Sequence, residues 1–299
     1  MFTVKRAGRQ LFVIIESKVR EVTELRKFLG LLFVILTLGI LLTGCGGQAG
    51  TGSSKAGGEP KDTGKQKVVV ASDTAYAPFE FQDENTGKYV GFDIDLIQAI
   101  AEVNNWDVEI RSMNFDGIIP ALQTASVDMA ISAMTITEKR KEQVNFSVPY
   151  YQSGQCVAVK ADNNTIKGFD DLAGKRVGVQ LATTGADEAR KIPGAKVIDY
   201  NTINEAFMAL KNGNVDAVVN DYPVTAYFIQ KGNKDIKIVG DLRTSEFYGI
   251  AVPKDKKEVL EKVNSALRTL KQNGKYAEIY KKWFGKEPPD FLPGEPPGK

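Results

Sequence analysis

The sequence predicts an α/β fold of two similar lobes that face each other across a cleft and are joined by two hinge-crossing strands. A twelve-residue phrase occurs twice, as ALQTASVDMAIS over 121–132 and as ALKNGNVDAVVN over 209–220. Each copy reads as the end of an amphipathic helix, a tight polar turn and a buried apolar strand. Between Lys67 and Gly285, short β-rich runs alternate with helical patterns, the rhythm of mostly parallel sheets covered by helices. That stretch of about 220 residues suits two compact domains. In open α/β sheets ligands sit beyond the carboxyl ends of the strands, and the two repeated strands end in Ala133-Met134-Thr135 and in Asp221.

Arg26 and Lys27 precede a fifteen-residue apolar run, Phe28–Leu42, followed at once by Thr43-Gly44-Cys45. The run is short for a bilayer span and has the flanks of a secretory signal, so residues 1–44 are expected to be removed. Residues 1–25 have no role in such a signal and read as a misannotated start, with Val22 an alternative. Leu42-Thr43-Gly44-Cys45 resembles the bacterial lipobox, in which the peptide is cut before a cysteine that then carries lipid; an ordinary small-residue cleavage site is the alternative. Residues 46–66 are rich in Gly, Ser and Lys with almost nothing apolar, so with Cys45 they are expected to form an anchored flexible linker, 45–66. Two or three acyl chains on one cysteine hold a soluble domain at a membrane surface.

The chain carries 39 Lys and Arg against 37 Asp and Glu. Setting aside the seven basic and three acidic side chains of residues 1–44 leaves 32 against 34, a net of −2. The basic balance therefore belongs to the leader, and nucleic acid is not an expected partner. Apart from Cys45 the sole cysteine is Cys156, so no internal disulfide is expected. Histidine is absent, which removes the commonest general base, the usual zinc ligand and every Ser-His or Cys-His pair. Neither a metal nor a cofactor is expected, and the protein is expected to be a monomer.

Strands or helices are expected at Val68–Ala71, Ile94–Val103, Val108–Arg111, Gly117–Thr124 and Val127–Ile131. After Tyr151 they follow at Cys156–Val159, Val177–Val179, Ala186–Lys191, Val197–Tyr200, Ile203–Asn212, Ala217–Val219, Val224–Lys231, Ile236–Val239 and Tyr248–Val252. Cys156–Val159 and Tyr248–Val252 bracket the second copy of the repeat and are read as the crossing strands. Lobe 1 is then discontinuous, 67–153 plus 248–285, with lobe 2 at 154–247 and a Pro-rich irregular tail at 286–299. One larger doubly wound sheet is the alternative.

Four loops leave strand ends toward the expected cleft. Asp73–Phe79 offers a carboxylate and the ring of Tyr76; Met134–Arg140 offers hydroxyls and a guanidinium; Gln180–Gly185 and Asn220–Tyr222 come from the other lobe. These are the parts needed to hold a zwitterion. A carboxylate suits the fork of Arg140 and backbone N–H groups near Thr183, and an ammonium suits Asp221 with acceptors around Thr135 and Ala133. Each residue also has a plain reading: Arg140 on a solvated helix face, Asp221 as a helix N-cap, Asp73 in a turn, Tyr76 and Phe115 as core.

Gly91-Phe92-Asp93-Ile94-Asp95-Leu96 resembles the GFDxDL signature of the bacterial family 3 solute-binding proteins, the polar amino-acid receptors of ABC importers. The stretches 73–79, 115–123, Thr135-Ile136-Thr137 with Arg140, and 276–285 are similar to that family too, so the likeness covers 67–285. It implies a type II periplasmic-binding-protein fold that closes on one amino acid and delivers it to a permease with its ATPase, outside the cytoplasm and here held to the membrane through Cys45. By that resemblance Arg140 takes the α-carboxylate with the backbone amides of Thr135 and Thr183. Asp221, Thr135 and the Ala133 carbonyl take the α-ammonium, Tyr76 and Phe115 flank the side chain, and Asp73 meets its far end. Many relatives have Gly or Ser where Ala133 stands.

Glutamine receptors of the family, which 113–124 resembles, commonly place Lys where Gln180 stands, beside the counterpart of Asp73. Without that Lys, a carboxylate in a closing, partly dry site favours a cation, so arginine or lysine is expected ahead of glutamine. The strings 180–185 and 245–249 also resemble the arginine-type receptors. Glutamine remains an alternative because its amide can donate to Asp73. An enzyme on this fold, of the kind that dehydrates cyclohexadienyl acids, is a further alternative that the pairing of Asp221 with Thr135 disfavours.

Overall fold

Two five-stranded sheets of matching strand order make up the body of the chain. The computed structural model describes residues 64–297, within a unit that spans Asp62–Lys299. The expected leader, Cys45 and nearly all of the expected linker lie outside the described residues.

In chain order the first elements are β1 (Gln66–Ser72), β2 (Ala75–Tyr76), β3 (Glu80–Gln82), β4 (Tyr89–Val90), α1 (Phe92–Asn104), β5 (Trp106–Ser112), α2 (Phe115–Gln123), β6 (Met129–Ala130), α3 (Glu138–Lys141), β7 (Asn145–Phe146) and β8 (Tyr151–Ser153). Next come β9 (Gln155–Lys160), β10 (Arg176–Gln180), α4 (Thr184–Arg190), β11 (Lys196–Tyr200), α5 (Ile203–Lys211), β12 (Ala217–Asp221), α6 (Tyr222–Gln230) and β13 (Ile236–Val239). The chain returns through β14 (Glu246–Tyr248) to β15 (Ala251–Val252), α7 (Lys257–Gln272) and α8 (Lys275–Phe284).

The first sheet runs β5-β1-β6-β15-β7 and the second β11-β10-β12-β9-β13. In each, three parallel strands are followed by two strands that pair antiparallel, so the sheets are parallel only in their first three strands. The two repeats occupy equivalent places: helix α2 leads into β6 beside β1, and helix α5 leads into β12 beside β10. Buried Val68, Val70 and Ala71 make β1 a nearly continuous apolar run, as a central parallel strand must be. Edge strand β5 instead carries Asp107, Glu109 and Arg111, charges that discourage further strand pairing.

The crossing lies elsewhere than the sequence suggested. Gln155–Lys160 is an interior strand of the second sheet, and Ala251–Val252 belongs to the first. The strands between them are the short antiparallel pair β8 and β14, with Tyr151 opposite Tyr248 and Ser153 opposite Glu246. The predicted run Tyr248–Val252 is thus divided between a hinge strand and a sheet strand, a division that hydrophobicity alone does not mark. Two separate sheets also exclude the single-sheet alternative.

Helices α7 and α8 were not anticipated, although α7 buries Val263, Ala266, Leu267 and Leu270 at helical spacing. They pack with α1 on the first sheet. There Phe92 meets Tyr276 and Tyr280 edge-on, and Tyr151 stacks on Tyr280 and on Tyr248. Gly91 begins α1 at φ 138°, where a Cβ would stand 2.0 Å from the Phe79 carbonyl oxygen, so only glycine fits there. Asp95 accepts from Lys282 Nζ and Trp283 Nε1, both at 2.6 Å, tying α1 to α8. Residues 285–297 form no helix or strand, but Leu292 is buried and Gly294 N donates to the Pro149 carbonyl.

Candidate functional site

The carboxyl ends of β1, β6, β10 and β12 converge on one cavity. Its lining contains Asp73, Tyr76, Phe115, Ala133, Thr135, Arg140, Gln180, Thr183 and Asp221, all nine residues singled out from the sequence, together with Glu80, Ser132 and Thr184. The free volume at its centre is about 10 Å³, room for about one water. A larger groove of about 640 Å³ lies against β8 and α6, but Lys286 is its sole charged lining residue and none of the nine reaches it. Chemistry, not size, therefore identifies the candidate site.

Local structure explains each placement. Asp221 is the N-cap of α6, yet its side chain makes no capping bond. Instead Oδ2 accepts from the hydroxyls of Tyr76 (2.7 Å) and Tyr248 (2.6 Å), and Oδ1 accepts from Gln155 Nε2. Arg140 is 8% exposed, whereas its neighbours Lys139 and Lys141 face solvent. The Thr137 hydroxyl caps α3 by accepting from Arg140 N, which fixes where the helix begins, and the guanidinium of Arg140 points inward. Arg140 then donates to the carbonyls of Thr135 (2.8 Å) and Ala182 (3.0 Å), with its guanidinium 5.1 Å from the Phe115 ring centroid. Asp73 accepts from Gln180 Nε2 at 2.5 Å, and Tyr76 directs its hydroxyl at Asn220 and Asp221. Several of these bonds reach across the cavity: Asp73 to Gln180, Tyr76 to Asp221, and Arg140 to the Ala182 carbonyl.

The site is acidic around a single cation. Burial lifts the Asp221 carboxyl from 3.8 to about 7, with the Glu246 charge adding to it. Burial likewise lifts Asp73 to about 6. The same desolvation lowers Arg140 from its ordinary value. None of these three appears in a salt bridge among the described residues. On the cavity wall, burial and the neighbouring Asp93 push Glu80 well above the usual carboxylate range. Glu80 Oε1 accepts from Ser132, whose oxygen in turn accepts from Asp73 N; Asp93 Oδ2 accepts from Ala133 N and the Tyr150 hydroxyl. Ala133 is held at φ 43°, a left-handed conformation for a residue with a Cβ.

Glu80, Ser132, Gln155, Glu246 and Tyr248 were not anticipated as parts of the site, and Thr184 was expected to offer only its backbone N–H. A signal existed for the last pair, because Glu246 and Tyr248 fall on one face of a strand, and a buried acid there calls for partners. Gln155 carried no such signal, since its role depends on where β9 lands beside β12.

Residues 68–286 match the model of the bacterial extracellular solute-binding proteins, family 3. The chain is 34% identical to the arginine-binding extracellular protein ArtP of Bacillus subtilis, over 85% of this chain and 96% of that one. It is 32% identical to the glutamine-binding protein GlnH of the same organism, an ABC transporter component, over 88% and 99%. An ancestral arginine-binding protein has been solved with arginine and with glutamine. It is 48% and 49% identical, with a TM-score of 0.72 in both cases, covering 74% of this chain and 99% of that one. The two-lobed architecture is that of the type II periplasmic-binding proteins. By this match, and by the paired sheets that carry it, the chain belongs to the bacterial extracellular solute-binding proteins, family 3.

Proposed function

We propose that the protein is the amino-acid receptor of an ABC importer, closing on one polar amino acid, with arginine or lysine preferred to glutamine. The observation that carries the reading is the charge arrangement of the cavity: one buried guanidinium, Arg140, with Asp73 and Asp221 as buried carboxylates on opposite sides, neither of them in a salt bridge among the described residues, while burial and the neighbouring Asp93 favour the uncharged form of the third lining acid, Glu80. A zwitterion with a cationic side chain matches that pattern in number and sign. Arg140 takes the α-carboxylate with backbone amides at Thr135 and Thr183. Asp221 takes the α-ammonium with Thr135 and the Ala133 carbonyl, and Asp73, beside Gln180, takes the side-chain cation between Tyr76 and Phe115. Cation–π attraction to those rings adds about 0.5–2 kcal/mol.

A free amino acid is larger than the space at the centre, so its entry exchanges the cross-cleft bonds of Asp73, Tyr76 and Arg140 for bonds to the ligand. Lobes 67–153 plus 248–285 and 154–247 part and close about β8 and β14, since a two-strand hinge concentrates the motion in few torsions. The receptor works as a monomer outside the cytoplasm, held to the outer face of the membrane by lipid on Cys45, and hands its ligand to a permease with its ATPase. It carries out no reaction. Loss of labelled fatty acid from a Cys45→Ser variant tests the anchor. Glutamine is the second reading, favoured by the ancestral relative solved with it.

A thermal-shift panel of the twenty amino acids on the soluble domain tests the reading. Ligand at about 100 times its dissociation constant adds about 2.7 kcal/mol of stability. A large shift with arginine or lysine and little with leucine or glutamate is expected. A shift with glutamine alone reverses the ranking, and no shift with any amino acid overturns the receptor assignment.

A further inference from the structure

Glu246 does not line the cavity, yet it reaches both walls of it. It stands on β14, 8% exposed. Its Oε2 accepts from the hydroxyl of Thr135 (2.9 Å), the hydroxyl of Thr184 (2.8 Å) and Gln155 Nε2 (3.2 Å), while Oε1 accepts from Thr244 (2.9 Å). Thr135 follows β6 of the first sheet, and Thr184 opens α4 of the second; both line the cavity. An ionised carboxylate only accepts, and a threonine hydroxyl has a single proton. Once that proton is committed to Glu246, the hydroxyl has lone pairs alone to offer anything else. The pattern around Thr184 agrees, because it accepts from Gln155 Nε2 at 3.2 Å on its other side. The two hydroxyl oxygens lie 3.4 Å apart, farther than either lies from Glu246 Oε2, so the carboxylate is the better acceptor for both protons. Bonds to an ionised carboxylate are about twice as strong as neutral ones, so this direction is held firmly.

We infer that Glu246 is a positioning residue for specificity: by taking the protons of Thr135 and Thr184 it makes both hydroxyls pure acceptors, suited to the N–H donors of an ammonium and hostile to a group that can only accept. This rests on the amino-acid-receptor reading and adds the discrimination between an amino acid and its 2-oxo analogue, which has the same carboxylate and side chain but no donor at that carbon. Glu246 stands on β14, so this control sits at the crossing strands, where one carboxylate joins both walls.

The test measures dissociation constants of arginine and of its 2-oxo analogue by calorimetry for the wild type and for Glu246→Gln, Thr135→Val and the double variant. Glutamine has the shape of glutamate but can donate, so at least one hydroxyl is free to turn its proton inward. The ratio of the two constants is expected to narrow by about tenfold or more in Glu246→Gln. In the Thr135→Val background the same substitution is expected to change the ratio far less, because one hydroxyl it acts through is gone. Equal weakening of both ligands, as a loss of structure would give, overturns the inference, as does an unchanged ratio. Should Glu246→Gln not fold, Thr135→Val and Thr184→Val must each narrow the ratio by themselves, and failure of either is equally decisive. A wild type that binds neither compound, nor any amino acid, overturns the receptor reading instead.

Discussion

Neutralising Asp73 should make the protein more stable and a poorer arginine binder at the same time. Burial lifts this carboxyl from 3.8 to about 6, and each unit corresponds to about 1.4 kcal/mol. Keeping it ionised near neutral pH therefore costs the fold about 3 kcal/mol. Asp73→Asn removes the charge and keeps an acceptor for Gln180 Nε2, so without added amino acid its stability at pH 7.5 should rise by up to about 3 kcal/mol. That is a gain of several degrees in Tm, at about 2–4 °C per kcal/mol for a chain of this size. When a cationic side chain enters, the wild-type charge becomes an asset, and its loss should weaken arginine by about 2–5 kcal/mol. Glutamine, whose amide pairs with Asn or Asp alike, should lose much less. Urea unfolding with calorimetric titration of both amino acids separates the two effects. Equal losses for arginine and glutamine, or no rise in stability without them, would refute the reasoning.

Three further outcomes follow from the same electrostatics. Arg140→Ala should cost every amino acid about 2–5 kcal/mol of binding, because it strands the α-carboxylate; loss confined to one ligand, measured by calorimetry, would remove Arg140 from the head-group site. The folded-state values of Asp73 and Asp221 are raised, so the native protein holds their protons more tightly than the unfolded chain does. Without amino acid, their contribution to stability should therefore fall as pH climbs from about 4 to about 7 and be level above it. Surface Asp128 and Asp216, whose values are lowered, act in the opposite sense below about 4. Arginine affinity, which needs both acids ionised, should run the other way and improve up to about pH 7. Thermal unfolding and titration across pH 4–8 check both slopes.

Repetition and periodicity made the doubled α/β body legible before any coordinates, because buried strands and amphipathic helices leave local apolar patterns that chain neighbours share. The loops at their strand ends were legible for the same reason, which is why Arg140 could be picked out of a run of charges. Whether that side chain faced water or the cavity was not: the carbonyls of Thr135 and Ala182 receive it, one of them more than 40 residues away in the chain. Asp221 occupies a cap position by sequence and leaves it uncapped in space, drawn instead to two tyrosine hydroxyls from distant parts of the chain.

The hinge, by contrast, was misplaced by a few residues, since Tyr151–Ser153 and Glu246–Tyr248 differ from neighbouring strands in what they pair with rather than in composition. By itself the sequence determined the element types, the doubled topology, the family resemblance and the chemical inventory: one arginine, two acids, hydroxyls, and no histidine. Tertiary structure alone decided which acids lack a counter-charge and which hydroxyls spend their protons on Glu246. Both depend on burial and on donor–acceptor geometry between residues some 50 to 150 positions apart, and no local pattern encodes such distances.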